Sequence, residues 1–100
     1  MMRALVFSLL VVLGPVAAPA SALGECLPMD QVRVAVRTGQ VIPLIQALHA
    51  ARGAAAGEVI DSRLCGGPGN FRYVVTLLSQ DGRVMRVTID AQSGAVLAVK

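Results

Sequence analysis

Apolar and polar positions alternate along most of the second half of the chain. Residues 71–78 and 83–90 place an apolar side chain at every second position, which is the period of a β-strand with one buried face. Shorter runs at 58–64 and 95–99 predict two further strands. The faces predicted to be buried in the two long strands comprise Phe71, Tyr73, Val75, Leu77, Met85, Val87 and Ile89.

The turns between these strands set their register. A two-residue Asp81-Gly82 turn would place Leu77 opposite Arg86, whereas a three-residue loop over 80–82 pairs apolar residues only. We therefore expect a type I turn followed by a bulge, with Gly82 at positive φ. A second turn, at Ser93 and Gly94, precedes the last strand.

A short helix is predicted over residues 31–38, because Asp30 is a suitable N-cap and Gly39 a suitable C′ residue. The alternation of valine and arginine within this segment is strand-like and leaves a strand open as the alternative.

A second helix is predicted from Pro43, which suits a first helical turn, to about Gly53 and Gly57. Its predicted buried stripe consists of Leu44, Ile45, Leu48 and Ala51. Together these elements predict an α+β fold, with one or two short helices packed on one face of a small antiparallel sheet.

The N-terminus has the three-part pattern of a secretory signal peptide. A positive start at Arg3 precedes ten mostly apolar residues, a Gly-Pro break and a run of small residues. Cleavage after Ala22 fits best, with cleavage after Ala20 and an uncleaved anchor as alternatives. The predicted organisation is a signal peptide (1–22), an N-terminal extension (23–29) and one domain (30–100). The apolar core is too short for a membrane span, so none is expected after cleavage.

Export changes the interpretation of the charge. The predicted mature chain has eight cations and six acids, and its arginines are scattered rather than clustered. Nucleic acid is not an expected partner outside the cytoplasm. The two cysteines, Cys26 and Cys65, are expected to form a disulfide, because an even cysteine count in a small exported chain is typical of one.

No catalytic constellation is evident. The one histidine, His49, lies away from the predicted helical stripe, and one histidine with two cysteines does not complete a tetrahedral metal site. The glycines at 66–69 match no phosphate-binding motif. We therefore predict no enzyme activity, no cofactor and no metal.

The strand half resembles the PepSY domain family. The resemblance rests on an ordered set of motifs: a strand beginning at Tyr73, the Asp81-Gly82 turn, a strand ending in Asp90-Ala91, and Ser93-Gly94 before a last strand. It covers roughly residues 30 to 100. It implies a helix packed on a small antiparallel sheet, a bacterial source and a periplasmic or secreted location.

The resemblance also implies a function without catalytic residues: an exported binding module that inhibits or modulates a peptidase. The alternative is a periplasmic accessory or sensor protein of a two-component system, whose partner would be a sensor kinase. Arg72, Arg86 and Thr88 are predicted to point outward from the open sheet face and to form a partner surface that favours an acidic partner.

Overall fold

A computed structural model describes residues 25–100 of the chain. The predicted signal peptide and its cleavage site lie outside these residues. The described chain forms two helices and four strands, which are α1 (Met29–Arg37), α2 (Leu44–Ala54), β1 (Glu58–Cys65), β2 (Arg72–Leu78), β3 (Val84–Asp90) and β4 (Val96–Val99).

The strands form one antiparallel sheet in the order β1-β2-β3-β4, so each strand pairs with its neighbour in the sequence. Both helices pack against this open sheet, which confirms the predicted α+β fold. The order also makes both β1 and β4 edge strands.

The β2–β3 hairpin has the predicted register. Tyr73 is opposite Ile89, and Leu77 is opposite Met85. Ser79 donates its backbone N–H to the carbonyl of Arg83 at 2.8 Å, which closes a three-residue loop in which Gly82 has φ 86°. This is the bulged turn that the apolar alternation required.

The core lies between α2 and the inner face of the sheet. Ala47 and Ala51 are fully buried, and their small side chains allow α2 to approach strands β2 and β3 closely. Tyr73 is buried on β2, and its hydroxyl donates to the carbonyl of Ile42 at 2.6 Å. Burial raises the pKa of the Tyr73 phenol above its ordinary value. The linker between the helices is thereby tied to the middle of the sheet.

The start of α1 differs from the sequence prediction. The helix begins at Met29, and Pro28 is its N-cap, so the prediction of Asp30 as N-cap is wrong. The carbonyl of Pro28 accepts the first helical N–H groups, and Asp30 lies in the first turn, where a negative charge favours the helix dipole. Gly39 follows the C-cap residue with φ 77°, as predicted.

The helical period also explains the spacing of the valines in residues 31–38, which by sequence alone is compatible with a strand. Val32 and Val36 are four residues apart and are half-buried beside the buried Ala35. Val34 falls on the other side of the helix and is 45% exposed. The strand alternative for this segment is therefore wrong.

The stripe predicted for α2 needs one correction. Leu44 and Leu48 pack against the core, but Ile45 is 67% exposed. The close contact between helix and sheet passes through Ala47 instead, because its position lies between Leu44 and Ala51 on the same helical face. The helix ends at Ala54, so Gly53 lies in its last turn.

The predicted disulfide joins Cys26 to Cys65 at the end of β1. The residues flanking Cys26 also pair with this strand end, since Leu27 donates to the carbonyl of Leu64 and Gly66 donates to that of Glu25. The N-terminal segment thus pairs with the end of β1 at the sheet edge, and the disulfide joins it covalently to this strand.

Candidate partner-binding surface

The sheet has one face without helices. Within residues 25–100 both helices pack on the inner face, so most side chains of the outer face remain in contact with solvent, although Thr76 is only 9% exposed. Cross-strand pairing arranges this face in rows that run across the strands. From β1 to β4, one row contains Asp61, Thr76, Arg86 and Lys100, the next contains Arg63, Val74, Thr88 and Ala98, and the third contains Cys65, Arg72 and Asp90.

A groove of about 600 Å³ lies over this face, along β3. Three cations line it: Arg72 from β2, Arg86 from β3, and Lys100 directly after β4. Its remaining lining is apolar or small and consists of Val74, Val84, Thr88, Leu97 and Ala98. The groove therefore combines positive charge with an aliphatic floor.

Arg72, Arg86 and Thr88 were predicted from the sequence to share the outer face, and the structure brings all three into this groove. Whether they contact a partner stays a prediction. Sequence reasoning missed Lys100, because its position depends on a bulge in β4 that shifts the register by one residue.

The β3–β4 turn holds β4 in place beside the groove. One carboxylate oxygen of Asp90 accepts the backbone N–H of Gln92 at 2.8 Å and of Ser93 at 3.1 Å. These hydrogen bonds favour the charged form and lower the pKa of the Asp90 carboxyl. Gly94 completes the turn by donating its N–H to the carbonyl of Asp90.

The β2–β3 turn is closed by a second set of side-chain contacts. The hydroxyl of Ser79 donates to the carboxylate of Asp81, and this hydrogen bond is the largest cause of the lowered pKa of Asp81. The same hydroxyl oxygen accepts the backbone N–H of Arg83 at 3.0 Å. The sequence-predicted turn residues Asp81, Gly82, Ser93 and Gly94 thus lie in the two turns that align β3 with its neighbours.

Each edge strand contains a bulge. Ile60 in β1 and Leu97 in β4 have no cross-strand partner where the register shifts, and they are 52% and 50% exposed. Bulges interrupt the row of main-chain groups that a further strand needs. The outer face is consequently the more continuous surface for a partner.

The other side of the molecule has a smaller groove of about 330 Å³ between α1 and β1. Its lining is mainly apolar and includes Val32, Leu44 and Leu64. His49 is exposed on α2, away from both grooves. Among residues 25–100, no three His, Cys, Asp or Glu residues form a group that could hold a metal ion.

A comparison with protein families matches residues 37–100 to PepSY, described as the peptidase propeptide and YPEB domain. The match covers more than half of the chain, and the chain therefore belongs to the PepSY family. PepSY domains are peptidase propeptide or inhibitor-type modules that are generally non-catalytic and typically occur in exported proteins. Neither a search of curated proteins nor a search of solved structures found a match.

Neither helix in the described part of the chain is long and apolar enough to cross a membrane.

Proposed function

We propose that this protein is an exported, non-catalytic binding module that inhibits or modulates a peptidase through the outer face of its sheet. The observation that carries the proposal is the groove in which Arg72, Arg86 and Thr88 converge, in a domain whose family is named for peptidase propeptides. The chain acts in the periplasm or after secretion, following removal of residues 1–22.

The family name supports a peptidase as the partner class, and the position of the helices supports the outer face as the binding surface. The inner face is occupied by the helices, and both edge strands are interrupted by bulges. The Cys65 end of β1 is further occupied by the N-terminal segment. A partner that binds without rearranging the domain therefore meets the outer face first.

The proposal is tested by adding the purified mature protein to the exported peptidases of its own cell and following cleavage of a fluorogenic protein substrate. We expect reduced or altered peptidase activity that saturates with the added domain. The intact mass of the secreted protein, measured alongside, should correspond to a chain beginning at Leu23 with no free thiols.

Charge reversal shows whether the groove is responsible. Arg72→Glu with Arg86→Glu should abolish the effect on the peptidase. Arg33→Glu with Arg37→Glu changes the net charge equally on exposed positions of α1, and this matched control should retain the effect. Equal behaviour of the two pairs, with circular dichroism showing both folded, would exclude the outer face as the site.

The second candidate is a periplasmic accessory to a two-component sensor kinase. It is favoured by the same exposed face, since that face has no chemistry specific to a peptidase. An unchanged activity of every exported peptidase, together with an altered response of a sensor-kinase reporter when the chain is deleted, would support this candidate instead.

A further inference from the structure

Two cations stand side by side on the outer face. The main-chain N–H groups of Arg86 and Lys100 each donate to the other residue's carbonyl, at 3.0 Å and 2.9 Å, so these residues are direct cross-strand neighbours. Both side chains line the outer groove. Like charges directly opposite each other destabilise a sheet, since their Cβ atoms are only about 5 Å apart. The two cations are therefore cross-strand neighbours on the outer face of the folded domain.

Among residues 25–100, no side-chain carboxylate forms an ion pair with Arg86 or Lys100, and Asp61, which lies in the same row two strands from Arg86, is paired with Arg63. The ion pairs among residues 25–100 are Asp61–Arg63 and Asp81–Arg83, and neither includes a cation of the groove. All six acidic residues lie within that range, so the rest of the chain adds no acidic side chain.

Arg72 provides a third positive charge at the other end of the groove. It is opposite Asp90 on β3, four residues from Arg86, which corresponds to about 13 Å along an extended strand. Asp90 uses one carboxylate oxygen to hold the β3–β4 turn and does not line the groove, although, after the hydrogen bonds from Ser93 and Gln92, the charge of Arg72 also contributes to lowering the pKa of this carboxyl. Between the two positive ends the groove is lined by Val74, Thr88 and Ala98, which are small and largely apolar, and Arg63 continues this row on β1 outside the groove.

We infer that the outer groove binds an extended acidic segment of another protein. One carboxylate of that segment lies between Arg86 and Lys100, and a second, four residues along the segment, lies at Arg72. A small aliphatic side chain midway between the carboxylates packs over Val74 and Ala98. This inference deepens the proposed function, on which it rests for the partner's role, by assigning the chemistry that the partner must present.

The spacing favours an extended peptide over an anionic membrane. Four residues of extended chain span about 13 Å, which matches the separation of the two positive ends along β3. The cations line a concave groove with an apolar middle row, whereas a membrane surface is broad and approaches protruding cations first. Phospholipid is therefore the competing ligand in the test.

The direct test uses the mature protein labelled with ¹⁵N and a capped peptide of sequence Gly-Thr-Glu-Thr-Val-Thr-Glu-Thr-Gly. We expect saturable amide shifts concentrated at Arg72, Arg86, Thr88 and Lys100, which weaken as salt increases. One control peptide has glutamine in place of both glutamates. A second control peptide has the two glutamates next to each other. Equal shifts from the glutamine peptide, or shifts centred on the α1 side, would overturn the inference.

Variants separate binding from folding. Replacing Arg86 and Lys100 by glutamate should weaken peptide binding about tenfold or more, while the Arg33→Glu and Arg37→Glu control stays within about twofold. The milder Lys100→Gln should weaken binding and also raise the urea midpoint, because it removes the like-charge contact. A lowered midpoint with unchanged binding would show a purely structural role for Lys100 and overturn the inference.

Vesicles of phosphatidylglycerol and phosphatidylcholine provide the final arm. The protein could sediment with these vesicles, lose this binding when Arg86 and Lys100 are replaced by glutamate, and not bind the acidic peptide. That result would assign the groove to a membrane and overturn the inference. None of these measurements contains a peptidase. Failure of peptide binding is therefore distinguishable from failure of the proposed function, which is judged by the cleavage assay.

Discussion

Tyr73 connects the sheet to the segment between the helices through a single side chain. It is the only tyrosine of the chain, its ring is buried, and its hydroxyl reaches the carbonyl of Ile42. A partly buried carbonyl that loses its donor is left without a hydrogen-bond partner, which is unfavourable. The stability of the domain should therefore depend on one oxygen atom at this position.

Tyr73→Phe should lower the free energy of unfolding by about 1–2 kcal/mol, because the ring remains and only the hydrogen bond is lost. Urea denaturation followed by circular dichroism measures the change. Ile42→Val is the control, since it keeps the accepting carbonyl. A Tyr73→Phe midpoint equal to that of the unmodified chain would show that the hydrogen bond contributes nothing.

Single residues were predictable where residue count or turn geometry specifies their role. Cys26 and Cys65 followed from their number and from the predicted export, and Gly82 followed from the turn geometry. Asp30 was assigned wrongly, because Pro28, with its fixed φ and no N–H to satisfy, serves as the N-cap two residues earlier. Ile45 was assigned to the core although helical spacing alone does not specify how far the buried stripe extends.

Between the elements, two glycines differ in what a side chain would meet. Gly66, after β1, has φ 94°, and a Cβ there would lie 2.3 Å from the backbone oxygen of Asn70. Gly82, in the β2–β3 turn, has φ 86°, but a Cβ there would meet no atom within 4 Å. Glycine is favoured at position 82 only because the backbone there is left-handed. At position 66 a Cβ would also clash with the backbone of Asn70.

Gly82→Ala should lower the free energy of unfolding by about 1 kcal/mol, because a residue with a Cβ is strained in the left-handed conformation. Gly66→Ala should cost clearly more, because its clash is with backbone that cannot rotate away. Thermal unfolding of both variants checks the order. Equal melting temperatures would mean that the 66–70 loop relaxes freely.

The β3–β4 turn should respond to acid. The lowered pKa of Asp90 means that its contribution to stability is present above the ordinary carboxyl pKa of 3.8 and is lost as the pH falls through the lower, folded-state pKa. We expect Asp90→Asn to flatten the fall of the melting temperature between neutral pH and pH values below 3.8. If the melting temperature of this variant fell with pH as steeply as that of the unmodified chain, the charge of Asp90 would not contribute to the stability of the turn.

At the scale of elements, the strands and the central hairpin register could be predicted, because a one-residue slip there moves every apolar side chain to the wrong face. The two edge bulges could not. Ile60 and Leu97 lie in strands with one free side, where pairing places fewer constraints on register. That is why Lys100 was missed beside Arg86, although both residues were visible in the sequence.

At the scale of the whole molecule, the disulfide is the strongest single constraint. Cys26 and Cys65 are separated by 39 positions, and closing a loop of that length corresponds to about 4 kcal/mol in the chain-entropy description. Such a contribution is large for a domain of this size. The sequence predicted this disulfide. It did not predict that the backbones of Cys26 and Cys65 also pair as an isolated antiparallel β-bridge.

Replacing both cysteines by alanine should therefore lower the free energy of unfolding by about 4 kcal/mol. Urea unfolding with and without reductant provides the measurement, and the reduced unmodified chain should behave like the double variant. A loss below about 1 kcal/mol would mean that the unfolded chain is not appreciably restricted by the bond.

The order of the strands has a consequence for how the chain acquires its structure. Every strand pairs with its neighbour in sequence, so the sheet forms through short loops, and proteins dominated by local contacts fold quickly. Oxidation of Cys26 with Cys65 takes seconds to hours and is the slow event. During refolding of the reduced chain, the fluorescence of Tyr73 should reach its final value before the thiols disappear, so that the nascent sheet itself brings the two sulfur atoms together.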